Sequence, residues 1–163
     1  MQVRKATASD KQSLLQLRTS LQEHVEESND GIWKITEMGM QKLEQDVDQM
    51  LSNTEGLVLI AEKDRNIMGF AYGQVVQRAD YTPKRVGFIN MIFIQENHRR
   101  QGIGTKLVQR LCQLFKSKAA EHISLRYVVG NKEGQAFWEQ LGFKPIIHTA
   151  KINLEQLEER LLK

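Results

Sequence analysis

Cysteine is almost missing from this chain of 163 residues: Cys112 has no second thiol to pair with. An internal disulfide is therefore excluded, and a reducing compartment is the expected setting. No stretch approaches the ~18 consecutive apolar residues of a membrane-spanning helix, and the first residues lack the apolar core of a signal peptide. A cytoplasmic location with no membrane partner is the expectation. Repeats, linkers and low-complexity segments are lacking too, and no metal site is expected. Two phosphate-binding signatures are also absent. The Gly-x-x-x-x-Gly-Lys-Ser/Thr run of nucleoside-triphosphate loops does not occur. The third glycine of a dinucleotide fingerprint is replaced, because its place, counted from Gly102, is held by Leu107, past mid-chain.

What remains is the composition of one globular domain spanning residues 1–163, with 40% hydrophobic and 26% charged residues. The net charge of +3 says little, but its distribution says more. From Ser20 to Gly56 the acids Glu23, Glu26, Glu27, Asp30, Glu37, Glu44, Asp46, Asp48 and Glu55 meet only Lys34 and Lys42. That block reads either as a solvated helical face or as an attraction for a cationic acceptor. From His98 to Lys118 stand Arg99, Arg100, Lys106, Arg110, Lys116 and Lys118, with no acid among them. Such a block suits an anionic ligand. Nucleic acid is disfavoured, since aromatic interleaving and a binding motif are both absent.

Periodicity predicts the elements. Val3–Ala6 reads as a strand. Ser9 with Gln12 forms a capping-box pattern before a helix carrying Leu14, Leu17, Leu21 and Val25. Asn29-Asp30-Gly31 breaks that helix, and Ile35-Thr36 opens a second one reaching about Leu51, with Gly39 blurring its start. Apolar runs 57–61 and 67–76 flank Asp64-Arg65-Asn66 as a hairpin. Residues 77–84 form a loop, and 85–94 a strand too apolar beyond Ile89 to have one face in water. A helix over 103–118, a strand over 123–129, a helix over 132–141 and a strand over 145–152 follow. Asn153 then caps a tail helix within 152–163. Its apolar stripe of Leu154, Leu157, Leu161 and Leu162 suits either capping of the sheet or a homodimer. Hairpins followed by strand–helix–strand crossovers give an α/β class with a mixed, mostly antiparallel sheet flanked by helices. Cys112 falls beside Leu107, Val108, Leu111 and Leu114 and reads as packing rather than as a nucleophile.

The densest signal is Ile92-Phe93-Ile94-Gln95-Glu96-Asn97-His98-Arg99-Arg100-Gln101-Gly102-Ile103-Gly104-Thr105, an apolar strand entering a glycine turn that opens a helix. Glycines at alternate positions let the backbone approach a ligand and aim several N–H groups at it. The helix adds its positive end, and Arg99 and Arg100 add charge suited to a phosphate or diphosphate.

Arg99, Gly102 and Gly104 occupy the defining places of Arg/Gln-x-x-Gly-x-Gly/Ala, the coenzyme A diphosphate loop of the GNAT acetyltransferase superfamily, which this segment resembles. Downstream, Leu125-x-Tyr127-x-x-x-Asn131 and the run Ala136-Phe137-Trp138-Glu139-Gln140-Leu141-Gly142-Phe143 are similar to the second half of that family. Val3-Arg4-Lys5-Ala6-Thr7 with Asp10 resembles its opening, so the likeness spans about Gln2 to Ile152. It implies the GNAT fold, acetyl-CoA as co-substrate and N-acetyl transfer to a primary amine of a small molecule or peptide. It implies cofactor contacts at Ile92, Phe93 and Ile94, at Arg99, Arg100, Gln101, Gly102, Ile103, Gly104 and Thr105, and at Asn131 and Trp138. Asn131 could equally cap the helix that follows it.

For proton transfer the chain departs from the family pattern. Relatives place a tyrosine where Trp138 stands, and an indole N–H is no acid near neutral pH. Tyr127 is the substitute candidate, with core packing of its ring as the rival role. A glutamate used as base by some relatives is replaced by Phe88; Asn90 could orient a water, and His24 with its acidic neighbours could reach the acceptor. Trp33 and the loop 78–84 would line the acceptor pocket. The alternatives are an acetyl-CoA-binding sensor without turnover and a nucleic-acid-binding module.

Overall fold

Strand β1 (Gln2–Lys5) lies at one edge of a five-stranded sheet in the computed structural model, which describes residues 1–32 and 34–162. Next come β2 (Gly56–Lys63), β3 (Asn66–Gln77), β4 (Arg85–Ile94) and β5 (His122–Leu125), paired in sequence order. Every pairing is antiparallel except β4 with β5, which is parallel, so the mixed and mostly antiparallel sheet expected from the hairpin-then-crossover pattern is borne out. Two units stand out by their internal contacts, Met1–Asn131 and the part from Lys132 onward.

In the first unit, α1 (Lys11–Ser28) and α2 (Glu37–Ser52) cover one face of the sheet. Leu14 and Leu17 of α1 and Val47 and Met50 of α2 meet Val58, Ile60, Phe70, Tyr72 and Phe93, all buried. On the other face lies α3 (Ile103–Ser117), whose Leu111 and Phe115 press on the backbone of Gly73 and Gly87. A Cβ on Gly87 would stand 2.6 to 2.9 Å from Phe115 ring atoms. Those glycines let the helix sit directly on the sheet. The strands are buried on both sides, so they lack the alternation of a half-wet sheet.

Local signals fixed most boundaries. Thr36 caps α2, its hydroxyl accepting from the Gly39 N–H at 3.1 Å. The β2–β3 hairpin turns on Asp64 and Arg65 at φ 51° and 65°, left-handed values that match the twist of the strands without any glycine. The first helix starts differently from the expected Ser9–Gln12 box. Asp10 accepts from the Thr7 N–H at 2.7 Å and binds Arg4, and a 3-10 turn over Ala8–Asp10 precedes α1. Its half-buried partner Arg4 makes the buried Asp10 the better anchor.

The second unit holds α4 (Lys132–Gln140) and α5 (Leu154–Leu161), where Asn153 accepts from the Gln156 N–H at 3.4 Å. The expected strand over 145–152 is not formed: a strand exists only through a ladder, and none of those residues pairs with a described strand. Likewise β5 stops at Leu125 rather than Val129. No helix among the described residues is long and apolar enough to cross a membrane.

Candidate functional site

The site forms where β4 and β5 part. Their parallel ladder joins Val86–Ile89 to His122–Leu125 and goes no further, although β4 continues to Ile94. On its other side β4 stays paired with β3 to the end, Gly69 opposite Ile94. The register slips once, Tyr72 facing Met91 and Gly73 facing Ile89, so Asn90 is the extra residue of a β-bulge. Asn90 therefore sits at the first position beyond the β5 ladder. Its side-chain oxygen is buried with no hydrogen-bond partner among the described residues.

The Gln95 N–H is spent on the Met68 carbonyl at 2.9 Å, toward β3. Strand alternation then turns the backbone groups of Ile94 and Ile92 the other way, to the side β5 has left. Consistent with that direction, the Ile94 carbonyl accepts from Arg99 Nε at 3.2 Å. What keeps the gap open is a second tether. Asn29, just past α1, donates from Nδ2 to the Val129 carbonyl, and Gly130 at φ 103° passes tight against the Ser28 carbonyl. The chain after β5 is thus fastened to the end of α1 rather than to β4.

The turn after β4 is wound tightly. A 3-10 turn over Glu96–His98 leads to Arg99, and both Arg100 and Gly102 take positive φ, 59° and 75°. Gln101 donates to the Asn97 carbonyl at 3.4 Å, while buried Ile103 roots the helix in the core. The first intrahelical bond comes from the Lys106 N–H to the Gly102 carbonyl, 3.2 Å. The N–H groups of Ile103, Gly104 and Thr105 precede it and have no acceptor within the helix. A Cβ on Gly102 would meet nothing within 4 Å, so open space lies before these donors. A phosphate or diphosphate requires such space, donors and charge, and this donor set fits an anion of that kind.

The remaining predicted residues are dispersed. Asn131 follows β5 by a short segment, its N–H bonded to the Val128 carbonyl at 3.1 Å, and directly precedes α4 in sequence. Tyr127, half-buried, lies past the end of β5, and its hydroxyl has no hydrogen-bond partner among the described residues. Trp138 belongs to the second unit, buried edge-on between Phe137 and Phe143 at 4.8 and 5.4 Å. Trp33 lies outside the described residues. In the loop 78–84 the Arg78 guanidinium covers the Tyr81 ring. Cys112 is half-buried, and burial pushes its thiol above the ordinary range, which suits packing. No group of metal ligands occurs among the described residues.

Glu23, His24 and Glu27 of α1 line a cleft of about 260 Å³ with Phe93, Glu96 and Arg99. The His24 ring lies 6.3 Å from that of Phe93. Two features escaped sequence reasoning altogether. The bulge at Asn90 follows from strand register, and the Asn29–Val129 tether joins residues a hundred positions apart, with only the glycine at 130 as a hint.

Among known proteins, residues 18–143 match the model of the acetyltransferase (GNAT) family. Over 57 residues the chain is 40% identical to N-alpha-acetyltransferase 30 of Schizosaccharomyces pombe, a stretch covering 35% of this chain and 38% of that protein. An uncharacterized N-acetyltransferase of Bacillus subtilis, YhfO, is 23% identical over 145 residues, 88% of this chain and 90% of its own. A predicted acetyltransferase of Clostridium acetobutylicum, determined with acetyl-CoA, superposes with a TM-score of 0.75 at 22% identity, covering 95% of this chain and 97% of its own. That likeness carries the fold, and the family match spans most of the chain, so the resemblance noted at Arg99, Gly102 and Gly104 is borne out at the level of the family. This chain belongs to the acetyltransferase (GNAT) family.

Proposed function

We propose that this GNAT acetyltransferase moves the acetyl group of acetyl-CoA to a primary amine of a small molecule or peptide, by direct attack within a ternary complex. The observation that carries the reading is the β4 edge left unpaired after Ile89, leading straight into the Arg99–Thr105 turn. The backbone groups of Ile92 and Ile94, with Phe93 between them, would take the pantetheine arm as an added strand. Arg99, Arg100 and Gln101 with the N–H groups of Gly102, Ile103, Gly104 and Thr105 would hold the diphosphate. Asn131 would add a further contact to the pantetheine arm, as the family resemblance implies. Once bound, acetyl-CoA supplies an acyl carbon already activated as a thioester.

The chain's own work is alignment. Holding a neutral amine against that carbon replaces a bimolecular encounter by an oriented one, which is worth several kcal/mol of barrier, about 7–11 at best. A backbone N–H on the free β4 edge donates to the acyl oxygen as charge builds there. Tyr127 is the candidate donor to the departing sulfur, and a water route carries the amine proton to solvent. An N-alpha-acetyltransferase among the relatives and an acetyl-CoA-bound neighbour in fold both support this reading.

Free-thiol release from acetyl-CoA, measured over a polyamine, an amino sugar, an amino acid and a peptide with a free α-amine, tests it. Release with at least one of them is expected. Cofactor-dependent stabilisation without release for any amine would instead identify a sensor.

A further inference from the structure

We propose that the Asn90 side-chain oxygen is the seat of the acceptor nitrogen: it takes one N–H of the incoming amine and aims the lone pair at the acyl carbon. The inference rests on the acetyl-transfer reading and adds the group that positions the acceptor. Three independent features meet at this residue. Asn90 is the bulged residue of β4, it is the first residue beyond the β5 ladder, and its oxygen is buried without a partner among the described residues. Buried carboxamides are ordinarily satisfied, so an orphaned acceptor at this place calls for a donor from outside the fold.

The chemistry of the missing partner follows from position. At about 3.3 Å per residue, Asn90 lies roughly 17 Å along β4 from Gln95, where the diphosphate turn begins. That span is comparable with an extended pantetheine arm, so the thioester end of the cofactor is what Asn90 would face. A thioester offers a carbonyl oxygen and a sulfur, both acceptors, and neither can satisfy another acceptor. The arm's nearest amide N–H lies two carbons back from the sulfur, so beside the acyl carbon itself the nucleophile is the group that brings a donor. A neutral primary amine has two N–H groups, one to give to Asn90 and one to lose. Its lone pair forms the C–N bond, the C–S bond breaks with its electrons on sulfur, the nitrogen's surplus proton leaves through water to solvent, and the thiolate takes a proton from Tyr127, which solvent restores. Amide and free coenzyme A thiol are the balanced products.

The test compares Asn90→Leu, close in shape but with no acceptor, and Asn90→Asp, which keeps an acceptor oxygen. For Asn90→Leu without ligand the melting temperature should rise by about 2–6 °C, because an unsatisfied buried group has been removed. Its acetyl-CoA-dependent shift and acetyl-CoA KM should stay as in the wild type. Its kcat with the amine that the wild type turns over fastest should fall at least tenfold. Asn90→Asp should recover part of that rate. A lower melting temperature for Asn90→Leu, unchanged turnover, or no recovery in Asn90→Asp would overturn the assignment. A wild type that gains no stability from acetyl-CoA would instead sink the acetyl-transfer reading itself.

Discussion

Asn29 and Val129, a hundred positions apart, are joined by a hydrogen bond of 2.6 Å from the Asn29 side chain to the Val129 carbonyl. The bond holds the chain leaving β5 against the end of α1, while β4 runs on without β5 as a neighbour. Losing it should cost about 1 kcal/mol of stability. Asn29→Ala is therefore expected to melt a few degrees lower and to bind acetyl-CoA more weakly, as thermal scans across a cofactor titration would show. Unaltered affinity would mean that the gap is set elsewhere.

Arg4 and Asp10 meet through two hydrogen bonds of 2.9 Å each, and Arg4 also reaches Glu62 at 2.8 Å. The Arg4 guanidinium, helped by the Thr7 amide, holds the Asp10 carboxyl down at about 2 against burial that works the other way. An unfolded Asp titrates near ~3.9, so the folded form holds its proton less tightly. The pair's contribution is complete above about pH 4 and is lost as pH falls toward 2. That contribution is on the order of 2 kcal/mol. Asp10→Asn should lower stability near neutral pH by a comparable amount and flatten the acid limb of the unfolding profile between pH 4 and 2. A parallel limb in the variant would contradict the assignment.

Gly87 lies under the Phe115 ring with no room for a methyl group. Gly87→Ala should cost about 1–3 kcal/mol by overpacking, read as a lower midpoint in urea. Combining it with Phe115→Leu should recover part of the loss, because the two substitutions share one contact. Strict additivity would show that the ring can move aside.

Arg99 bridges the site, donating to the Ile94 carbonyl and lying over the Phe93 ring at 5.9 Å. A charge-assisted bond is worth about 1.5–3 kcal/mol. Arg99→Ala should raise the acetyl-CoA KM by roughly 10- to 100-fold and leave kcat less affected. The wild-type KM should rise with salt more steeply than that of the variant.

Much of the fold was legible because its signals are local. The apolar runs of the β2–β3 hairpin, the cap at Thr36, the cap at Asn153 and the amphipathic stripe of α3 each act within a few residues. The glycine turn from Arg99 to Thr105 was legible for the same reason. Pairing was not. Whether 145–152 becomes a strand, where β5 ends and which residue bulges at 90 depend on partners distant in sequence. The start of α1 shows the intermediate case: Ser9–Gln12 and Thr7–Asp10 both fit a capping pattern locally. The choice fell to Asp10 because Arg4 on β1 supplies its counter-charge.

The most direct measurement is the melting temperature of the wild type and of Gly104→Trp, with and without saturating acetyl-CoA. An indole at the start of α3 would stand among the helix N–H donors and compete with a diphosphate for them. At a hundredfold excess over Kd the wild type should gain about 2.7 kcal/mol, or roughly 5–10 °C, and the variant nothing. An equal gain in both proteins would contradict a diphosphate seat on this turn.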